Sequence, residues 1–320
     1  MPPLRLLADD LTGALDSAAR FLPLTGPVAI SWRDIVPGAL AFDSDTRDLD
    51  ASGAQARIAE VASVLDGGDP AFKKIDSLLR GRVALELAQC MGRFDHCVLA
   101  PAFPFQGRIT AAGRQRARDG EGWRDCGVDL AGGLRGLGVE LQVRDATSDA
   151  DLDAIVAEGR RLAGRVLWCG TGGLAGALAG RGTAPRPTLP KPVLALIGSD
   201  HAVTRAQVAA VPATLRDALV LCPLPPGLDR AEARQRIATT FAELLRRGPR
   251  PGTLFVTGGA TLRDVCDALG VARLEVDGEL EPGVPASILC GGAWDGQRLV
   301  SKSGAFGDTA FLARLLGEAQ

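Results

Sequence analysis

The sequence predicts an α/β protein made of two α/β domains with mainly parallel sheets. Short apolar runs end in Gly-, Asp- or Thr-rich turns and are followed by segments of helical periodicity, and this alternation recurs along the chain. The length of 320 residues suits two domains. Residues 180–192 carry four prolines and two glycines, a composition typical of a linker. We therefore place the domains at residues 1–185 and 190–320.

The apolar runs give the predicted strands. Each is four or five residues long and is rich in Leu, Val, Ile, Phe or Ala. The predicted strands are residues 4–8, 28–31, 39–42, 96–100, 140–144, 165–169, 193–197, 219–222 and 253–256. Because ligands of open α/β sheets bind at the carboxyl ends of strands, the turns after these runs are the first places to look for function.

Composition limits the class of partner. Hydrophobic residues make up 46% and charged residues 23%, as in folded globular proteins, and the formal net charge is only -2 without a run of Lys and Arg. We therefore expect a small-molecule ligand, no nucleic acid and no membrane partner. The N-terminus lacks the pattern of a signal peptide, and no stretch of 18 apolar residues occurs. A cytoplasmic location is the expectation.

Cysteine and histidine offer little to a metal or a catalytic triad. The seven cysteines are scattered without a C-x-x-C pair, so neither a disulfide framework nor a thiolate zinc site is indicated. His96 and His201 stand alone in the sequence. Catalysis must therefore depend on carboxylates, Lys, Arg and backbone amides, and we predict no metal held by protein side chains alone.

The first motif follows the N-terminal strand. Asp9 and Asp10 lie at its carboxyl end, Thr12 opens a helix, and Asp16 lies one turn further on. These acids could accept a proton from a substrate hydroxyl, orient hydroxyls or bind Mg²⁺. The alternative is that Asp10 or Thr12 simply caps the helix. A cap needs one oxygen, whereas this turn supplies several, so a functional role is favoured.

The second motif brings donors and an acid together in one turn. Lys74, Asp76, Ser77 and Arg80 follow a short apolar piece, and such a set suits a hydroxylated ligand that bears a carboxylate. The alternative is an exposed loop whose charges pair with each other. A Pro-fixed loop after residue 100 adds Arg108, which is a weak signal alone.

Glycine turns after three strands form the third group, at residues 170–173, 198–199 and 257–261. In each turn a strand breaks at Gly and a helix begins, which presents free amides suited to phosphate. The first turn loosely matches a dinucleotide fingerprint, but residues 181–199 contain no acid to hold a ribose, which argues against hydride transfer. The sequence also lacks a P-loop motif.

Lysine is rare in this chain, which has four lysines among its 36 basic residues. Lys302 lies at the end of an apolar run and before a Ser-Gly loop, where a compact ammonium can reach a phosphate. Packing is the alternative role for this segment.

Together, these motifs resemble the four-carbon acid sugar kinases. The similarity rests on Asp-Asp-x-Thr-Gly-Ala at residues 9–14, Lys-Ile-Asp-Ser-x-Leu-Arg-Gly at 74–81, Thr-Gly-Gly at 257–259 and Lys-Ser-Gly-x-Phe-Gly at 302–307, all in the order of the family. The resemblance covers nearly the whole chain. Departures from the family pattern are Leu78, Asp200, His201 and Ala260, and the chain is shorter than the family pattern.

The resemblance implies an ATP-dependent kinase that phosphorylates the terminal hydroxyl of threonate, erythronate or a 3-oxo-tetronate, in a cleft between a sugar-acid-binding domain and a nucleotide-binding domain. ATP and Mg²⁺ are the implied cofactors. The implied catalytic residues are Asp10 and Asp16. The implied sugar-acid ligands are Asp9, Thr12, Lys74, Asp76, Ser77, Arg80 and Arg108. The implied ATP ligands are Ser199, Thr257, Gly258, Gly259, Ala260, Thr261, Lys302 and Gly304.

A second hypothesis stays open at this point. A non-catalytic descendant of the same fold, which binds a sugar acid or a nucleotide and regulates another process, would also tolerate shortened loops and an altered nucleotide turn. The surviving acids, Arg80 and Lys302 favour the enzyme. The sequence leaves open which acid is the substrate and whether the protein forms a homo-oligomer.

Overall fold

A computed structural model describes residues 2–139, 141–225 and 227–317. The chain divides into two compact units, Met1–Ala184 and Pro185–Gln320. Within the described residues, no helix is both long enough and apolar enough to cross a membrane.

The first unit is an α/β layer structure with one small additional sheet. Its strands are β1 (Arg5–Ala8), β2 (Val28–Ser31), β3 (Leu40–Asp43), β4 (Ala71–Lys74), β5 (His96–Ala100), β6 (Arg108–Ala111), β7 (Arg114–Asp119), β8 (Gly122–Asp125) and β9 (Val166–Gly170). Its helices are α1 (Leu11–Thr25), α2 (Ala51–Val61), α3 (Val83–Met91), α4 (Leu130–Gly136), α5 (Asp149–Gly159) and α6 (Gly172–Leu178).

Six strands of this unit form a parallel sheet in the order β2-β3-β1-β4-β9-β5. β1 and β4 are central and fully or mostly buried, as expected for apolar strands covered on both faces. Phe21 of α1 packs edge-on against Phe72 of β4, with ring centroids 5.5 Å apart. Because β1, β3 and β4 run in the same direction, their carboxyl ends meet at one edge of the sheet.

The second unit consists of β10 (Val193–Ile197), β11 (Leu219–Leu221), β12 (Thr253–Thr257), β13 (Arg273–Glu279), β14 (Pro285–Cys290) and β15 (Arg298–Lys302), with α7 (Ala202–Ala209), α8 (Arg230–Arg247), α9 (Gly259–Ala268) and α10 (Phe311–Gly317). β11, β10, β12 and β15 are parallel neighbours in that order, whereas β14 and β13 continue the sheet antiparallel. Phe255 and Phe311 lie together in its core, with ring centroids 5.8 Å apart.

The expected α/β class with mainly parallel sheets is confirmed. The predicted strands at 28–31, 96–100 and 193–197 have the observed bounds, and the others except one are shifted by a residue. The strand predicted over 140–144 was wrong. Glu140 lies outside the described residues, and among residues 141–144 only Val143 pairs, through an isolated bridge to Leu99. The antiparallel strands β6 to β8, β13 and β14 were not predicted.

Candidate active site

The first predicted motif forms the turn from β1 into α1. Asp10 occupies the N-cap of α1, where its Oδ1 accepts a hydrogen bond from the Gly13 amide at 3.0 Å. Its Oδ2 accepts a hydrogen bond from the Thr12 hydroxyl at 2.6 Å. Asp10 is thus a helix cap, the alternative that the sequence left open, and the cap uses both of its oxygens.

Arg47, which the sequence analysis did not single out, joins the acids of this region. Its guanidinium donates two hydrogen bonds to Asp9, from Nε to Oδ2 and from Nη2 to Oδ1, both 2.8 Å. Nη2 also lies 2.6 Å from Oδ1 of Asp10 and 3.8 Å from Oδ1 of Asp76. We call Asp9, Asp10 and Asp76 the acidic cluster. One arginine therefore contacts all three of its members.

Burial and the neighbouring charges shift the pKa values of Asp10 and Arg47 in opposite directions. Burial disfavours the charged form of Asp10, but the charges of Arg47 and Lys74 lower the pKa of Asp10 below its ordinary value. Burial also disfavours the charged form of Arg47, yet the neighbouring carboxylates raise the pKa of Arg47. Both groups are consequently charged at neutral pH.

The loop after β4 is folded around Asp76. One oxygen, Oδ2, accepts hydrogen bonds from the amides of Leu78 and Arg80 at 3.0 and 3.2 Å and from Nε of Arg80 at 2.9 Å. The other oxygen accepts from Nη2 of Arg80 at 2.6 Å. Burial would raise the pKa of Asp76, but the bonds from Arg80 and the charge of Arg47 hold it well below its usual range. Arg80 is therefore engaged by Asp76, as the self-paired alternative expected.

Lys74 keeps free hydrogen-bonding capacity. Its side chain is buried, and its ammonium donates to the carbonyl of Ile75 at 3.0 Å. Among the described residues, this is the one hydrogen bond that Nζ makes. Since an ammonium has three donors, two stay available to a ligand. The hydroxyl of Ser77 likewise makes no hydrogen bond to the described residues, whereas its carbonyl accepts from Gln115 at 2.9 Å.

Asp16 differs from the acidic cluster because one of its oxygens has no partner. It lies within α1, one and a half turns after Asp10, and is 7% exposed. Its Oδ1 is buried without a hydrogen bond to any described residue. Burial raises the pKa of Asp16 above its ordinary value, against the opposing charges of Arg20 and Lys74. A buried carboxylate with a free oxygen and a raised pKa is a suitable proton acceptor.

Glycine keeps the space beside Asp16 open. A Cβ added to Gly172, at the start of α6, would lie 3.0 Å from Oδ2 of Asp16 and 3.0 Å from the ring of Phe103. The turn of residues 170–173, which sequence analysis considered for phosphate, therefore lines the surroundings of a carboxylate.

Arg108 begins β6, and its side chain is directed back towards its own loop. Nη1 donates to the carbonyls of Gln106 and Gly107 at 2.7 and 3.1 Å, while Nε has no hydrogen-bond partner among the described residues. Burial lowers the pKa of Arg108, although Asp76 opposes this shift. Arg108 lies near enough to Asp76 and Arg80 for their charges to act on it.

In the second unit, three loops at the carboxyl ends of β10, β12 and β15 come together. The amide of Gly198 donates to the Thr257 carbonyl at 3.2 Å, and the amide of Gly258 donates to the Lys302 carbonyl at 3.1 Å. The Thr204 hydroxyl donates to the Gly304 carbonyl at 2.9 Å. The predicted ATP ligands all lie in these three loops, at the last residues of the strands that precede them, or in the first turn of α9.

The loops approach each other so closely that only glycine fits at two points. A Cβ added to Gly198 would lie 1.9 Å from Oγ1 of Thr261, and one added to Gly304 would lie 2.1 Å from Oγ of Ser199. Gly258 has a φ of 103°, a left-handed value that favours glycine, and directly precedes α9. This geometry leaves the amides at the start of the ten-residue helix α9 accessible from the loops.

Lys302 is the buried cation of these loops. Its side chain is 1% exposed, its Nζ donates to the Ser303 carbonyl at 3.4 Å, and it lies 5.9 Å from the ring centroid of Phe311. Among the described residues, no carboxylate lies within ion-pair distance of Nζ. Burial lowers the pKa of Lys302 to about 8, although Glu281 opposes the shift. The hydroxyls of Thr257 and Ser301 are buried without a hydrogen-bond partner among the described residues.

The donors in these loops suit a polyanionic ligand that binds together with a metal ion. Across the ranges described, no group of three or more His, Cys, Asp or Glu side chains could hold a metal ion. The acidic cluster in particular is occupied by Arg47 and Arg80. The loops of the second unit instead offer glycine amides, unpartnered hydroxyls and an ammonium, which are donors for phosphate oxygens. The residues fit a nucleotide phosphate chain, and Mg²⁺ would be bound mainly by its phosphate oxygens and water.

Comparisons with known proteins agree with this division of chemistry. Residues 4–121 match the family model described as a sugar-binding N-terminal domain, and residues 226–312 match the nucleotide-binding C-terminal domain. The chain is also 30% identical to a D-threonate kinase of Cupriavidus necator, over 96% of this chain and 95% of that enzyme. The chain belongs to the four-carbon acid sugar kinase family. The resemblance and the expected enzyme class, a phosphotransferase, are thereby confirmed.

Another relative in this kinase family is named for a different sugar acid. A D-erythronate kinase of Heliobacterium modesticaldum is 26% identical over 95% of this chain and 94% of that enzyme. The alignment with the Cupriavidus necator kinase extends over 400 positions, more than the 320 residues of this chain. Because the alignment includes nearly all of both chains, the relative contains internal segments that this member of the family lacks.

The fold is also that of the family. The crystal structure of a Haemophilus influenzae protein superposes with a TM-score of 0.70, at 17% identity, over 98% of this chain and all of that one. At this identity the match describes the fold alone.

Sequence reasoning missed residues whose contacts lie far away in the chain. Arg47 was missed although Asp43 to Arg47 is a polar run directly after the predicted strand 39–42, the signal that could have identified it. Glu86 and Gln115 were also missed. Glu86 lies in α3 and Gln115 in β7, and no motif near either residue indicates its hydrogen-bond partners.

Proposed function

We propose that this kinase transfers the terminal phosphoryl group of ATP to the terminal hydroxyl of a four-carbon sugar acid, with Asp16 as the base. The single observation that carries the proposal is the free, buried oxygen of Asp16 beside carboxylates whose oxygens are all occupied. Relatives named as D-threonate and D-erythronate kinases support the substrate class.

Asp16 suits the base better than Asp10. Both oxygens of Asp10 accept hydrogen bonds and a cation lies 2.6 Å away, so its proton affinity is low. The raised pKa of Asp16 increases its affinity for the proton that the attacking hydroxyl loses. Asp10 then acts by fixing the turn and orienting Thr12. Since phosphoryl transfer depends mainly on positioning and charge, a base of this kind contributes part of the rate enhancement.

The substrate carboxylate is bound by Lys74, with further donors from Arg108 and the hydroxyl of Ser77. We assign this role to Lys74 because two of its ammonium donors are unused, whereas Nε and Nη2 of Arg80 already donate hydrogen bonds to Asp76. Thr12, Asp9 and Arg80 contribute indirectly, by shaping the turn and balancing charge. In this proposal Arg80 has a supporting role, whereas the sequence predicted that it contacts the sugar acid directly.

ATP is bound by the three loops of the second unit. The amides of Gly259 and Ala260 face the phosphates together with the hydroxyls of Ser199, Thr257 and Thr261, which form a donor-rich surface at the start of α9. Gly258, whose amide is bonded to the Lys302 carbonyl, contributes by holding the turn. Lys302 and the backbone near Gly304 complete the contacts. Mg²⁺, carried in with the nucleotide, neutralises the charge that develops on the phosphate oxygens.

The proposal is tested by ADP release from Mg-ATP in the presence of a panel of four-carbon acids, followed by ³¹P NMR of the product. A phosphate ester on the terminal CH₂ group couples to two protons and gives a triplet, whereas an ester on an internal carbon gives a doublet. Turnover of one acid with a triplet product supports the proposal. Binding of acid and ATP without ADP release would favour the regulatory hypothesis, and binding of neither would refute both.

A further inference from the structure

Arg47 contacts every member of the acidic cluster, and the surrounding chain fixes it there. The backbone amides of Thr46 and Arg47 donate to the carbonyl of Asp9 at 3.1 and 3.2 Å. The Thr46 hydroxyl donates to Glu86 at 2.9 Å. Because Asp9, Thr46 and Glu86 are buried, the backbone that carries Arg47 is fixed and its guanidinium has little freedom to leave the carboxylates.

We propose that Arg47 is a positioning residue, which occupies the acidic cluster and thereby leaves Lys74 free to bind the carboxylate of the sugar acid. This inference rests on the proposed function. The reason is competition between two cations for the same acids. Asp10 is within electrostatic reach of both Arg47 and Lys74. Without Arg47, Lys74 would be the nearest cation left to neutralise Asp10.

Lys74 lies so close to Asp10 that it needs to move only a short distance to take the place of Arg47. A Cβ added to Gly13 would lie 2.4 Å from Oδ1 of Asp10 and 2.8 Å from Nζ of Lys74, so both atoms lie close to the same point beside this glycine. A small rotation of the lysine side chain would form a direct ion pair. That pair would consume donors that the substrate needs, and the affinity for the sugar acid would fall.

The charged groups around the cluster come from every neighbouring element. They are Lys74 and Arg80 from β4 and its loop, Asp16 and Arg20 from α1, Arg108 from β6, and the pair Lys73 and Glu86 from β4 and α3. Arg80 already pairs with Asp76 and Lys73 already pairs with Glu86. Lys74 is therefore the cation that would respond to the loss of Arg47.

The kinetic test compares Arg47→Met and Arg47→Lys with the native protein. Arg47→Met should raise KM for the sugar acid at least about tenfold, the value of a charge-assisted hydrogen bond, and leave KM for ATP nearly unchanged. Arg47→Lys should fall between, since an ammonium neutralises charge but cannot reproduce the two-bond fork. Adding Asp10→Asn to Arg47→Met removes the competing charge and should restore part of the affinity for the acid. An unchanged KM for the acid in Arg47→Met would overturn the inference.

A second readout does not depend on turnover. Asp10 and Asp76 have lowered pKa values with Arg47 present, so the stability that this cluster provides exists at neutral pH and is lost as pH falls. In Arg47→Met the acidic cluster loses one positive charge that Lys74 and Arg80, both already present, do not replace, so its carboxylates keep an uncompensated negative charge that protonation at lower pH removes. The difference in Tm between native protein and Arg47→Met should therefore narrow between about pH 7.5 and about pH 5.

The matched control is Arg93→Met, which removes an exposed arginine paired with Asp66 in the same unit. This variant should keep native KM values and a small difference in Tm that varies little with pH. A pH-independent Tm difference for Arg47→Met would overturn the inference, because packing of the arginine stem alone would produce that result. Failure of the proposed function would appear differently, as absence of turnover in the native protein. If Arg47→Met does not fold, Arg47→Lys provides both measurements.

Discussion

Lys73 and Glu86 form an ion pair, with 2.8 Å between Nζ and Oε2, although their side chains are only 0% and 2% exposed. Lys74, the next residue, has no carboxylate partner at ion-pair distance among the described residues. Because side chains alternate along a strand, these two lysines of β4 face opposite sides of the sheet. Lys73 therefore forms an ion pair in the interior, whereas Lys74 lies at the candidate site.

The first prediction concerns this ion pair. Lys73→Met leaves Glu86 and the Thr46 hydroxyl in a buried site without their cation, and should lower the free energy of unfolding by about 3–5 kcal/mol. Equilibrium urea unfolding measures the change. The double variant Lys73→Met with Glu86→Leu should recover much of the loss, because it buries no uncompensated charge. A single variant within about 1 kcal/mol of the native value would contradict the electrostatic role.

A second prediction follows from Lys302, whose pKa is lowered to about 8 by burial. In the unfolded chain this lysine binds its proton up to a pKa of about 10.4, so between about pH 8 and about pH 10 the unfolded state carries more protons. The contribution of Lys302 to stability without ATP should thus rise with pH in this window. ATP affinity should fall over the same window as the ammonium loses its charge.

Lys302→Met tests whether Lys302 causes the pH dependence of both the stability and the ATP affinity. Its stability should lack this pH-dependent contribution, and its ATP affinity should be weak and should not fall further as pH rises through about 8. Thermal unfolding and isothermal titration calorimetry with Mg-ATP measure the two quantities. Native ATP affinity in this variant would contradict the assignment of Lys302 to the nucleotide.

A third prediction uses the close approach of the loops around Gly304. In Gly304→Ala the new Cβ would lie 2.1 Å from Oγ of Ser199 and 2.9 Å from Cβ of His201, so the loops must separate. We expect KM for ATP to rise and KM for the sugar acid to stay near its native value. Gly136→Ala is the matched control, because an added Cβ meets nothing within 4 Å there. Equal KM values for ATP in both variants would show that the loops do not bind the nucleotide.

Much of the fold could be predicted from the sequence because its signals are local. Buried parallel strands such as β2, β5 and β10 appear as short apolar runs ending in turns, and their bounds were recovered. β6 to β8 were missed because none of them is a continuous apolar run: polar residues interrupt β6 and β7, and β8 is exposed throughout. The run of residues 140–144 was misread because apolar residues there cover a core without forming a ladder.

The sequence motifs of the candidate site could be identified, but the contacts that their residues make could not. Asp10, Asp76 and Arg80 were found from spacing, yet the sequence could not tell that Arg80 binds Asp76 or that Asp10 caps a helix with both oxygens. Such pairing depends on side-chain geometry. Arg47 reaches the acidic cluster from the loop after β3, and only the strand order β3-β1-β4 brings it there.

The most direct test of the account is the effect of Asp16→Asn on the two kinetic constants for the sugar acid. The substitution keeps the size of the side chain and removes the proton acceptor, so kcat should fall about 10²- to 10⁴-fold while KM changes little. Asp10→Asn should mainly affect KM and stability, and Asp153→Asn, an exposed residue paired with Arg181, should be neutral. If Asp16→Asn keeps a native kcat while the native protein turns over the acid, Asp16 is not the base and the account of the site is wrong.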